Sequence, residues 1–352
     1  MIQLAQIGCG YWGPNLLRNF SANRDCHVRW VAEESAERRA YVEQHHPGVR
    51  TTQYWEEVLA DEQVDAVVIA TPAATHHNLA KQALEAGKAV FVEKPLAMTV
   101  AEAEELGRLS AAVRRPLMVG HTFLYNAAVR RMKQLLDSGE VGAVFYLYCS
   151  RLNLGKVRSD VNAWWNLAPH DVSILLYLLD GELPATVSAR GTDYIQPGIE
   201  DVVFATLTWK NRVTAHVHVS WLDPGKVRRV TLVGSRRMIV YDDVSDDKLS
   251  VLDRGVDRIP RLGEGMEYDD FDQYQIRHRS GDIWLPHVEF AEPLRTEAAH
   301  FLECVRTGGT PLTGPAHARD VIAVLEAGQR SLLAGGQPQP VSEEKYHDTL
   351  AA

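Results

Sequence analysis

The segment Ile2-Gln3-Leu4-Ala5-Gln6-Ile7 runs directly into Gly8-Cys9-Gly10-Tyr11-Trp12-Gly13. The first six residues are mainly apolar and predict a buried strand, while the last six form a G-x-G-x-x-G pattern that opens a helix-like stretch. Glycines in this pattern permit a tight turn, close approach of a pyrophosphate, and close packing of helix on strand. The amino end of the helix then faces the phosphates. This segment therefore predicts a dinucleotide-binding fingerprint.

An acidic residue, Glu33, ends the next predicted strand about 20 residues after the fingerprint. A carboxylate at this position can accept hydrogen bonds from both ribose hydroxyls and repel a 2′-phosphate, which favours NAD over NADP. Glu34 is a neighbouring candidate for the same role. Arg38 and Arg39 follow closely, and they leave NADP open as an alternative.

The first 120 residues alternate short apolar runs with helix-like stretches. The predicted strands are Ile2–Ile7, Val28–Ala32, Ala66–Ala70, Ala89–Val92 and Leu117–Val119. The predicted helices are Pro14–Phe20, Ala36–Gln44, Thr75–Ala86 and Thr99–Ala112. Continuous apolar strands that alternate with helices are typical of a doubly wound parallel sheet. We expect an α/β fold, with a Rossmann dinucleotide-binding domain over residues 1–121.

After about residue 140 the pattern changes to consecutive strand candidates. These are Phe145–Arg151, Ala185–Gly191, Val202–Trp209, Val213–Trp221, Val227–Val233 and Arg237–Tyr241. Helices are predicted over His170–Leu179, Thr296–Arg306 and Ala316–Leu333, and Asp253–His287 is interpreted as long loops or a hairpin. The pattern predicts a C-terminal α+β domain with a large, mostly antiparallel open sheet. We expect residues 122–352 to bind substrate and form oligomers, with the C-terminal segment placed to pack back on the first domain.

Composition excludes several classes of protein. The chain has 352 residues, 45% of them hydrophobic, and a formal net charge of −9. Nucleic acid and anionic membranes are disfavoured as partners because both need a basic surface. The four cysteines have no short spacing, and no basic leader or membrane-length apolar run is present. We expect a soluble, cytoplasmic protein.

Two predicted strands end in residues that carry chemistry. Thr71-Pro72 follows Ala66–Ala70, and Glu93-Lys94-Pro95 follows Ala89–Val92. Ligands of doubly wound sheets bind outside the carboxyl ends of the strands, which places Lys94 near a bound nicotinamide.

The segments Gly8–Gly13, Thr71-Pro72 with His76, Ala86-Gly87-Lys88 and Glu93-Lys94-Pro95-Leu96-Ala97 together resemble the Gfo/Idh/MocA oxidoreductase family. The resemblance covers nearly the whole chain and implies a Rossmann domain followed by a domain with a large, mostly antiparallel sheet. NAD is the expected cofactor, on the evidence of Glu33. The cofactor-binding residues expected from the fingerprint and the resemblance are Gly8, Gly10, Tyr11, Trp12, Gly13, Glu33, Thr71, Pro72, His76, Glu93 and Lys94.

The family's third motif matches Asn166-Leu167-Ala168-Pro169-His170-Asp171. His170 corresponds to the family's catalytic histidine, while Asn166 stands where an aspartate is frequent and is left a substrate-binding role. A neutral histidine suits removal of a hydroxyl proton during hydride transfer, and a nearby ammonium stabilises the developing alkoxide. We expect His170 to be the base and Lys94 to orient the hydroxyl, and the reverse assignment stays open.

Four segments resemble family members that act on nucleotide-linked sugars: Gly10–Asn15, Asn166–Asp171, Trp221–Pro224 with Lys226 and Arg228, and Val233–Ser235. The resemblance implies NAD-dependent oxidation of the C3 hydroxyl of UDP-N-acetylglucosamine or a close relative, before transamination. The substrate-binding candidates are Lys94, Arg151, Asn153, Arg158, Asn166 and His170. Three of them, Arg151, Asn153 and Arg158, belong to a polar, basic strip that also includes Lys156 and Asn162. Three alternatives stay open: a 3-ketosugar reductase, a free-sugar or inositol dehydrogenase, and a non-catalytic NAD sensor.

Two weaker signals concern metals and assembly. His216 and His218 share one face of a predicted strand, but no third ligand has a convincing spacing, so no metal site is expected. The open antiparallel sheet needs its outer face covered. We therefore expect a homodimer or a homotetramer built through the C-terminal sheet.

Overall fold

A computed structural model describes residues 1–260 and 274–341 of the chain. Its first part is a six-stranded parallel sheet in the order β3-β2-β1-β4-β5-β6. The strands are β1 (Ile2–Ile7), β2 (Cys26–Ala32), β3 (Arg50–Thr52), β4 (Ala66–Ile69), β5 (Ala89–Val92) and β6 (Leu117–Val119). The helices are α1 (Gly13–Ser21), α2 (Ala36–His45), α3 (Trp55–Ala60), α4 (His76–Glu85) and α5 (Val100–Val113).

The order of the strands fixes where a ligand can bind. β1 pairs in parallel with β2 on one side and with β4 on the other, so the strand order reverses beside β1. β4 and β5 are buried along their whole length, as strands covered by helices on both faces should be. A crevice at the carboxyl ends of β1 and β4 follows from this topology.

The second part is a nine-stranded sheet in the order β14-β13-β12-β11-β7-β10-β9-β8-β15. The strands are β7 (Val144–Leu152), β8 (Thr186–Thr192), β9 (Val202–Thr208), β10 (Thr214–Ser220), β11 (Val227–Gly234), β12 (Met238–Asp242), β13 (Leu249–Pro260), β14 (Tyr274–Trp284) and β15 (Gln339–Pro340). Helices α6 (Ala127–Asp137) and α7 (Ala163–Leu178) precede most of these strands. The predicted mostly antiparallel sheet is confirmed, with β7 and β10 as a parallel pair at its centre.

One face of this sheet packs against α7, and the other is open. Along β10 the residues alternate between buried and more exposed positions up to Val219. Tyr146 and Tyr148 on β7 and Phe204 on β9 lie on the open face and are 45%, 39% and 47% exposed. His218 stacks on Phe204 with a 4.2 Å separation of ring centroids.

The last two helices, α8 (Pro293–Thr307) and α9 (Pro315–Leu333), contact the first sheet's helices as well as the second part of the chain. Arg18 on α1 forms an ion pair with Glu292 at 2.5 Å, immediately before α8. Arg319 on α9 forms an ion pair with Glu104 on α5. None of the helices in the described ranges is long and apolar enough to cross a membrane.

Several elements differ from the sequence-based expectation. β3, α3 and α6 were not predicted, and each of the first two is six residues or shorter. Helix α7 begins at Ala163 rather than at His170, because Asn162 caps its amino end and Pro169 is accommodated inside it. The predicted loops or hairpin over Asp253–His287 form a hairpin of β13 and β14, whose connection lies outside the described residues.

Candidate active site

The fingerprint loop joins β1 to α1 at the crevice. Gly8 has φ +89°, and a Cβ there would lie 2.6 Å from the Ala70 carbonyl oxygen, so only glycine fits this position. A Cβ on Gly13 would lie 2.8 Å from the Gly8 carbonyl oxygen. A Cβ on Gly10 would meet nothing within 4 Å, which leaves open the side from which a pyrophosphate approaches. The loop fits a dinucleotide.

Gln6 on β1 holds this loop through hydrogen bonds, and sequence analysis did not identify it. Its buried side-chain amide donates to the carbonyl oxygens of Gly8 at 2.8 Å and Gly13 at 3.1 Å. Gln6 is a fully buried polar residue in a mainly apolar strand, and a buried amide requires hydrogen-bond partners. The polar Gln6 within a predicted buried strand was the only feature of the sequence that pointed to this role.

Glu33 lies at the end of β2, beside the fingerprint. Its carboxylate accepts from the backbone N–H of Cys9 at 2.6 Å and of Ser35 at 3.0 Å. Arg39 donates to the backbone carbonyl oxygens of Glu33 and Glu34, at 2.7 and 2.9 Å. Arg39 is thereby held by the backbone rather than directed toward a 2′-phosphate. This arrangement agrees with NAD as the cofactor.

The aromatic residues of the fingerprint border the crevice. Tyr11 is 80% exposed and lies 5.5 Å from the ammonium of Lys156, which belongs to the predicted basic strip. Trp12 is 42% exposed, and its indole is near enough to the carboxyl group of Glu93 to act to lower that group's pKa. The cofactor loop therefore contacts both the Glu93-Lys94-Pro95 turn and the strip from the second half of the chain.

His76 links the two loops that follow β4 and β5. One ring nitrogen lies 2.7 Å from the Pro95 carbonyl oxygen, and the other lies 2.9 Å from the Thr71 carbonyl oxygen. The residue is 1% exposed. Because both nitrogens face backbone carbonyls, His76 holds the Thr71 and Lys94 segments at a fixed separation, and its ring leaves no nitrogen for a cofactor.

Lys94 extends from the end of β5 toward helix α7. Its ammonium donates to the backbone carbonyl oxygen of Asn166 at 2.8 Å. Burial lowers the pKa of Lys94 to about 8; nearby Glu93 opposes this shift, and Arg151 and Arg158 add to it. A lysine of this kind is charged at neutral pH but can lose its proton under mildly alkaline conditions.

Glu93 and Glu297 are two carboxyl groups whose charges interact, and sequence analysis identified only Glu93. Burial raises the pKa of Glu93 to about 7, against the opposing effect of Lys94. Glu297 on α8 is fully buried and accepts from the Thr122 hydroxyl at 2.7 Å, and burial with the charge of Glu93 raises its pKa well above the ordinary value. A Cβ on Gly120 would lie 3.1 Å from a Glu93 carboxyl oxygen.

His170 lies on α7, one turn after Asn166. Its Nδ1 is buried and has no hydrogen-bond partner among the described residues. Burial lowers the pKa of His170 well below 6.5, and the positive charges of Lys94 and Arg151 lower it further. His170 is therefore neutral at physiological pH and can accept a proton.

Asn166 is held in place by Trp221, at the end of β10. The Trp221 indole N–H donates to the Asn166 side-chain oxygen at 3.1 Å. With that oxygen occupied and its backbone carbonyl bound to Lys94, Asn166 keeps an amide N–H₂ group as a donor. An aspartate would have no such donor.

The predicted basic strip is not a uniform exposed surface. Arg151 is 5% exposed and forms a two-point ion pair with Asp171 at 2.8 and 3.0 Å. Arg158 forms a two-point pair with Asp160. The backbone N–H of Asn153 donates to the Ser220 carbonyl oxygen. Arg151 is charge-neutralised inside the fold, because a buried guanidinium requires a partner.

Three residues near His170 were missed by sequence analysis. The Phe123 ring centroid lies 5.0 Å from that of His170, in an edge-to-face arrangement. His121 is 2% exposed and approaches His317 with ring centroids 5.3 Å apart. Their sequence neighbourhood gives no sign of these contacts, which depend on how the two sheets pack.

Among the described residues, no group of three or more His, Cys, Asp or Glu side chains could hold a metal ion.

Two family models match the chain. Residues 2–121 match an oxidoreductase family with an NAD-binding Rossmann fold, and residues 129–240 match the GFO/IDH/MocA C-terminal domain. The first match covers the crevice and the Glu93-Lys94-Pro95 turn, and the second covers His170.

Curated relatives and solved structures agree with these matches. The chain is similar to scyllo-inositol 2-dehydrogenase (NAD(+)) of Bacillus subtilis, at 26% identity over 73% of this chain and 72% of the relative. It is also similar to UDP-N-acetylglucosamine 3-dehydrogenase of Acidithiobacillus ferrooxidans, at 29% identity over 73% of this chain and 78% of the relative. The solved structure of that enzyme covers 96% of this chain and 99% of its own, with TM-score 0.76.

A second similar structure contains the cofactor. GenD2 from gentamicin A biosynthesis, solved in complex with NAD, is 22% identical and has a TM-score of 0.80. The alignment covers 97% of this chain and 96% of that one. At this identity the similarity establishes the fold.

Proposed function

Because the chain belongs to the Gfo/Idh/MocA family of NAD-binding oxidoreductases, we propose that it oxidises the C3 hydroxyl of a nucleotide-linked sugar to a ketone. UDP-N-acetylglucosamine or a close relative is the proposed substrate. The product would be a 3-keto nucleotide sugar, whose carbonyl suits a later transamination.

The main observation behind this proposal is the contact between the Lys94 side chain and helix α7. The Lys94 ammonium lies 2.8 Å from the carbonyl oxygen of Asn166, one helical turn before His170. A cation from the Rossmann crevice and a neutral imidazole from the second half of the chain thus approach the same space. Alcohol oxidation by hydride transfer needs this pair of groups.

Each residue of the pair has a distinct role. Bound NAD supplies the hydride acceptor. His170 removes the proton of the hydroxyl while the hydride leaves the same carbon, so the alcohol loses two electrons and becomes a ketone. Lys94 donates a hydrogen bond to the hydroxyl oxygen and stabilises the negative charge that develops there.

The cofactor site is proposed to use the fingerprint and the loops that follow β4 and β5. Gly8, Gly10 and Gly13 shape the pyrophosphate cradle, Glu33 accepts from the ribose, and Thr71 and Pro72 border the crevice. His76 acts on the same site through the backbone, because it sets the separation of the two loops.

Support for a nucleotide sugar comes from one relative and from the donors near His170. UDP-N-acetylglucosamine 3-dehydrogenase of Acidithiobacillus ferrooxidans is 29% identical over 73% of this chain. Asn166 presents a donor amide, and Asn153 and Lys156 are partly or fully exposed at the edge of the cleft. A second candidate is a free cyclitol, which the scyllo-inositol 2-dehydrogenase relative favours.

The test is to incubate the purified protein with NAD and separate candidate substrates and to follow the absorbance of reduced nicotinamide. The panel contains UDP-N-acetylglucosamine, N-acetylglucosamine, glucose, scyllo-inositol and myo-inositol. Oxidation of the nucleotide sugar, with a 3-keto product identified by mass spectrometry, supports the proposal. Oxidation of inositol alone contradicts it.

Two further outcomes separate the remaining alternatives. Consumption of NADH with a 3-keto sugar, without the forward reaction, indicates a ketoreductase. A protein that binds NAD but turns over nothing, and whose NAD binding is unchanged by Lys94→Ala and His170→Ala, behaves as a sensor.

The open face of the second sheet is proposed to join two or four copies of the chain. Tyr146, Tyr148 and Phe204 are large, exposed side chains on one sheet surface, and exposed apolar patches of this kind mark interfaces. Light scattering of wild-type protein and of a Tyr148→Glu, Phe204→Glu variant measures the assembly. A monomeric wild type would contradict it.

A further inference from the structure

Arg228 is a cation beside the catalytic pair that the mechanism above does not use. It lies at the start of β11, opposite Arg151 of β7 in the sheet register. Its neighbour along the strand, Arg229, is opposite Ser150. Because side chains alternate along a strand, Arg228 lies on the helix-covered face of the sheet and Arg229 lies on the open face.

Phe123 connects Arg228 to His170. The guanidinium carbon of Arg228 is 6.0 Å from the Phe123 ring centroid, and the ring of His170 is 5.0 Å from the same centroid. The guanidinium of Arg151 lies 4.4 Å from Phe123. Arg228 and the proposed base His170 therefore lie near the same aromatic ring.

The two arginines on this ring are neutralised to different extents. Arg151 is buried and donates two hydrogen bonds to its own carboxylate, Asp171. Arg228 donates one hydrogen bond, of 3.2 Å, to Asp243, which also accepts from the Tyr241 hydroxyl at 3.0 Å. The Arg228 side chain is 39% exposed, and no other acceptor for it exists in the described ranges. Among the described residues, Asp243 therefore accepts from one of its five N–H donors.

We propose that Arg228 forms an anion subsite next to His170, which binds a carboxylate or phosphate group of the substrate. The proposal rests on the proposed function, because it assigns a substituent to the substrate of that same site. A guanidinium recognises both oxyanions through paired N–H donors. The group would be either a carboxylate on the sugar ring or the diphosphate of the nucleotide.

The electrostatics around His170 agree with an anionic ligand. The positive charges of Lys94, Arg151 and Arg228, and the neighbouring His121, all act with burial to lower the pKa of His170. An anion bound at Arg228 would offset one of these charges and make the imidazole a stronger base when substrate is present.

The adjacent arginine provides a matched control. Arg229 donates two hydrogen bonds to Asp242 and is 49% exposed, but it lies on the opposite face of the sheet. The variants Arg228→Gln and Arg229→Gln therefore remove the same charge from the same strand, each beside one aspartate. Only the first removes a cation from the cleft.

The kinetic test compares both variants on anionic and neutral substrates with saturating NAD. The anionic substrates are UDP-N-acetylglucosamine and UDP-N-acetylglucosaminuronate, and the neutral ones are N-acetylglucosamine and myo-inositol. Loss of one charged hydrogen-bond pair predicts an increase in KM of about 10- to 100-fold for the anionic substrates, with a smaller change in kcat. We expect less than about a threefold change for the neutral substrates and for Arg229→Gln.

The pattern of losses identifies the anion. A loss confined to the glucosaminuronate indicates the sugar carboxylate, and an equal loss for both nucleotide sugars indicates the diphosphate. Equal losses for neutral and anionic substrates, or no loss, would overturn the proposal.

A binding measurement keeps the subsite testable if the proposed function fails. Calorimetric titration of the NADH-loaded protein with UDP and with glucuronate gives dissociation constants without turnover. If the enzyme oxidises inositol alone, the nucleotide-sugar proposal fails, but Arg228-dependent binding of UDP or glucuronate would still support the subsite. Binding that Arg228→Gln leaves unchanged, or no binding of either probe, would refute it.

Discussion

The cofactor side and the substrate side of the cleft are built in different ways. The cofactor side is shaped by the backbone. Its glycines have no Cβ atoms, and the buried side chains of Gln6 and His76 bind backbone carbonyl oxygens of its loops. The substrate side is made of long charged and aromatic side chains that come from distant parts of the chain. On the assignment proposed above, the cofactor is held by fixed backbone geometry, while substrate choice depends on a few exchangeable side chains.

Removal of the base should have the largest effect and should leave the cofactor side intact. In His170→Ala the proton acceptor is lost, so we expect kcat to fall by about 10²- to 10⁴-fold. The dissociation constant of NAD, measured by calorimetry, should change by less than about twofold. His77 lies on α4 and pairs with Glu105 on α5, so His77→Ala is the control and should keep full activity. A large loss of NAD affinity in His170→Ala would show that the two sides are not separable.

Addition of a methyl group to the fingerprint loop should have the opposite effect, because it should weaken NAD binding. Gly8→Ala imposes a left-handed backbone on alanine and a 2.6 Å contact with the Ala70 carbonyl oxygen, so we expect NAD affinity to fall at least about tenfold. Gly48→Ala is the control, because Gly48 also has positive φ but its Cβ would meet nothing within 4 Å. Both variants should lose about 1–3 kcal/mol in urea unfolding, and only Gly8→Ala should lose NAD binding. Unchanged NAD affinity in Gly8→Ala would contradict the assigned cradle.

The pH profile should decide between the two assignments of Lys94. If Lys94 acts as a cation, kcat/KM should fall as pH rises through about 8, the pKa that burial gives it, by about tenfold per pH unit beyond that point. If Lys94 is the base, kcat/KM should instead rise through the same pH. His170, with its low pKa, is already deprotonated there.

Two lysine variants make that pH test specific. In Lys94→Arg the charge persists at high pH, so the remaining activity should have no alkaline limb. Lys88 is also a buried lysine with a lowered pKa, but it donates to the Asp61 carbonyl oxygen, away from the site. Lys88→Arg should therefore keep the limb, and loss of the limb in both variants would remove Lys94 as its source.

The smallest effect is expected from loss of the hydrogen bond that holds the Asn166 side chain in place. Trp221→Phe removes the indole N–H donor and frees the Asn166 side chain, at a cost of about 1 kcal/mol. We expect kcat/KM to fall by about three- to tenfold with NAD affinity unchanged. Trp209→Phe removes a comparable buried bond to the Glu182 carbonyl oxygen and should change stability without changing kinetics. Equal kinetic losses in both would indicate a general loss of stability.

The same contrast explains what the sequence could predict. Gly8–Gly13 and Glu93-Lys94 are short, contiguous patterns whose place in a parallel sheet follows from local geometry, so the cofactor loop and the candidate Lys94 could be proposed from the sequence. Arg228 and Phe123 were not assigned to the site, because their proximity depends on the register of β11 with β7 and on how the helices cover that sheet. Arg151 was placed in a basic strip, whereas its long-range partner Asp171 neutralises it.

Helix α8 and helix α9 act as ties between the two sheets. Glu292 binds Arg18 at one end of the first part, Glu297 accepts from Thr122 near its centre, and Arg319 reaches Glu104 at its far side. A motion that moved α8 and α9 away from the first sheet would have to break all these contacts together. The two helices are therefore held to the first part of the chain at three separate places along its side.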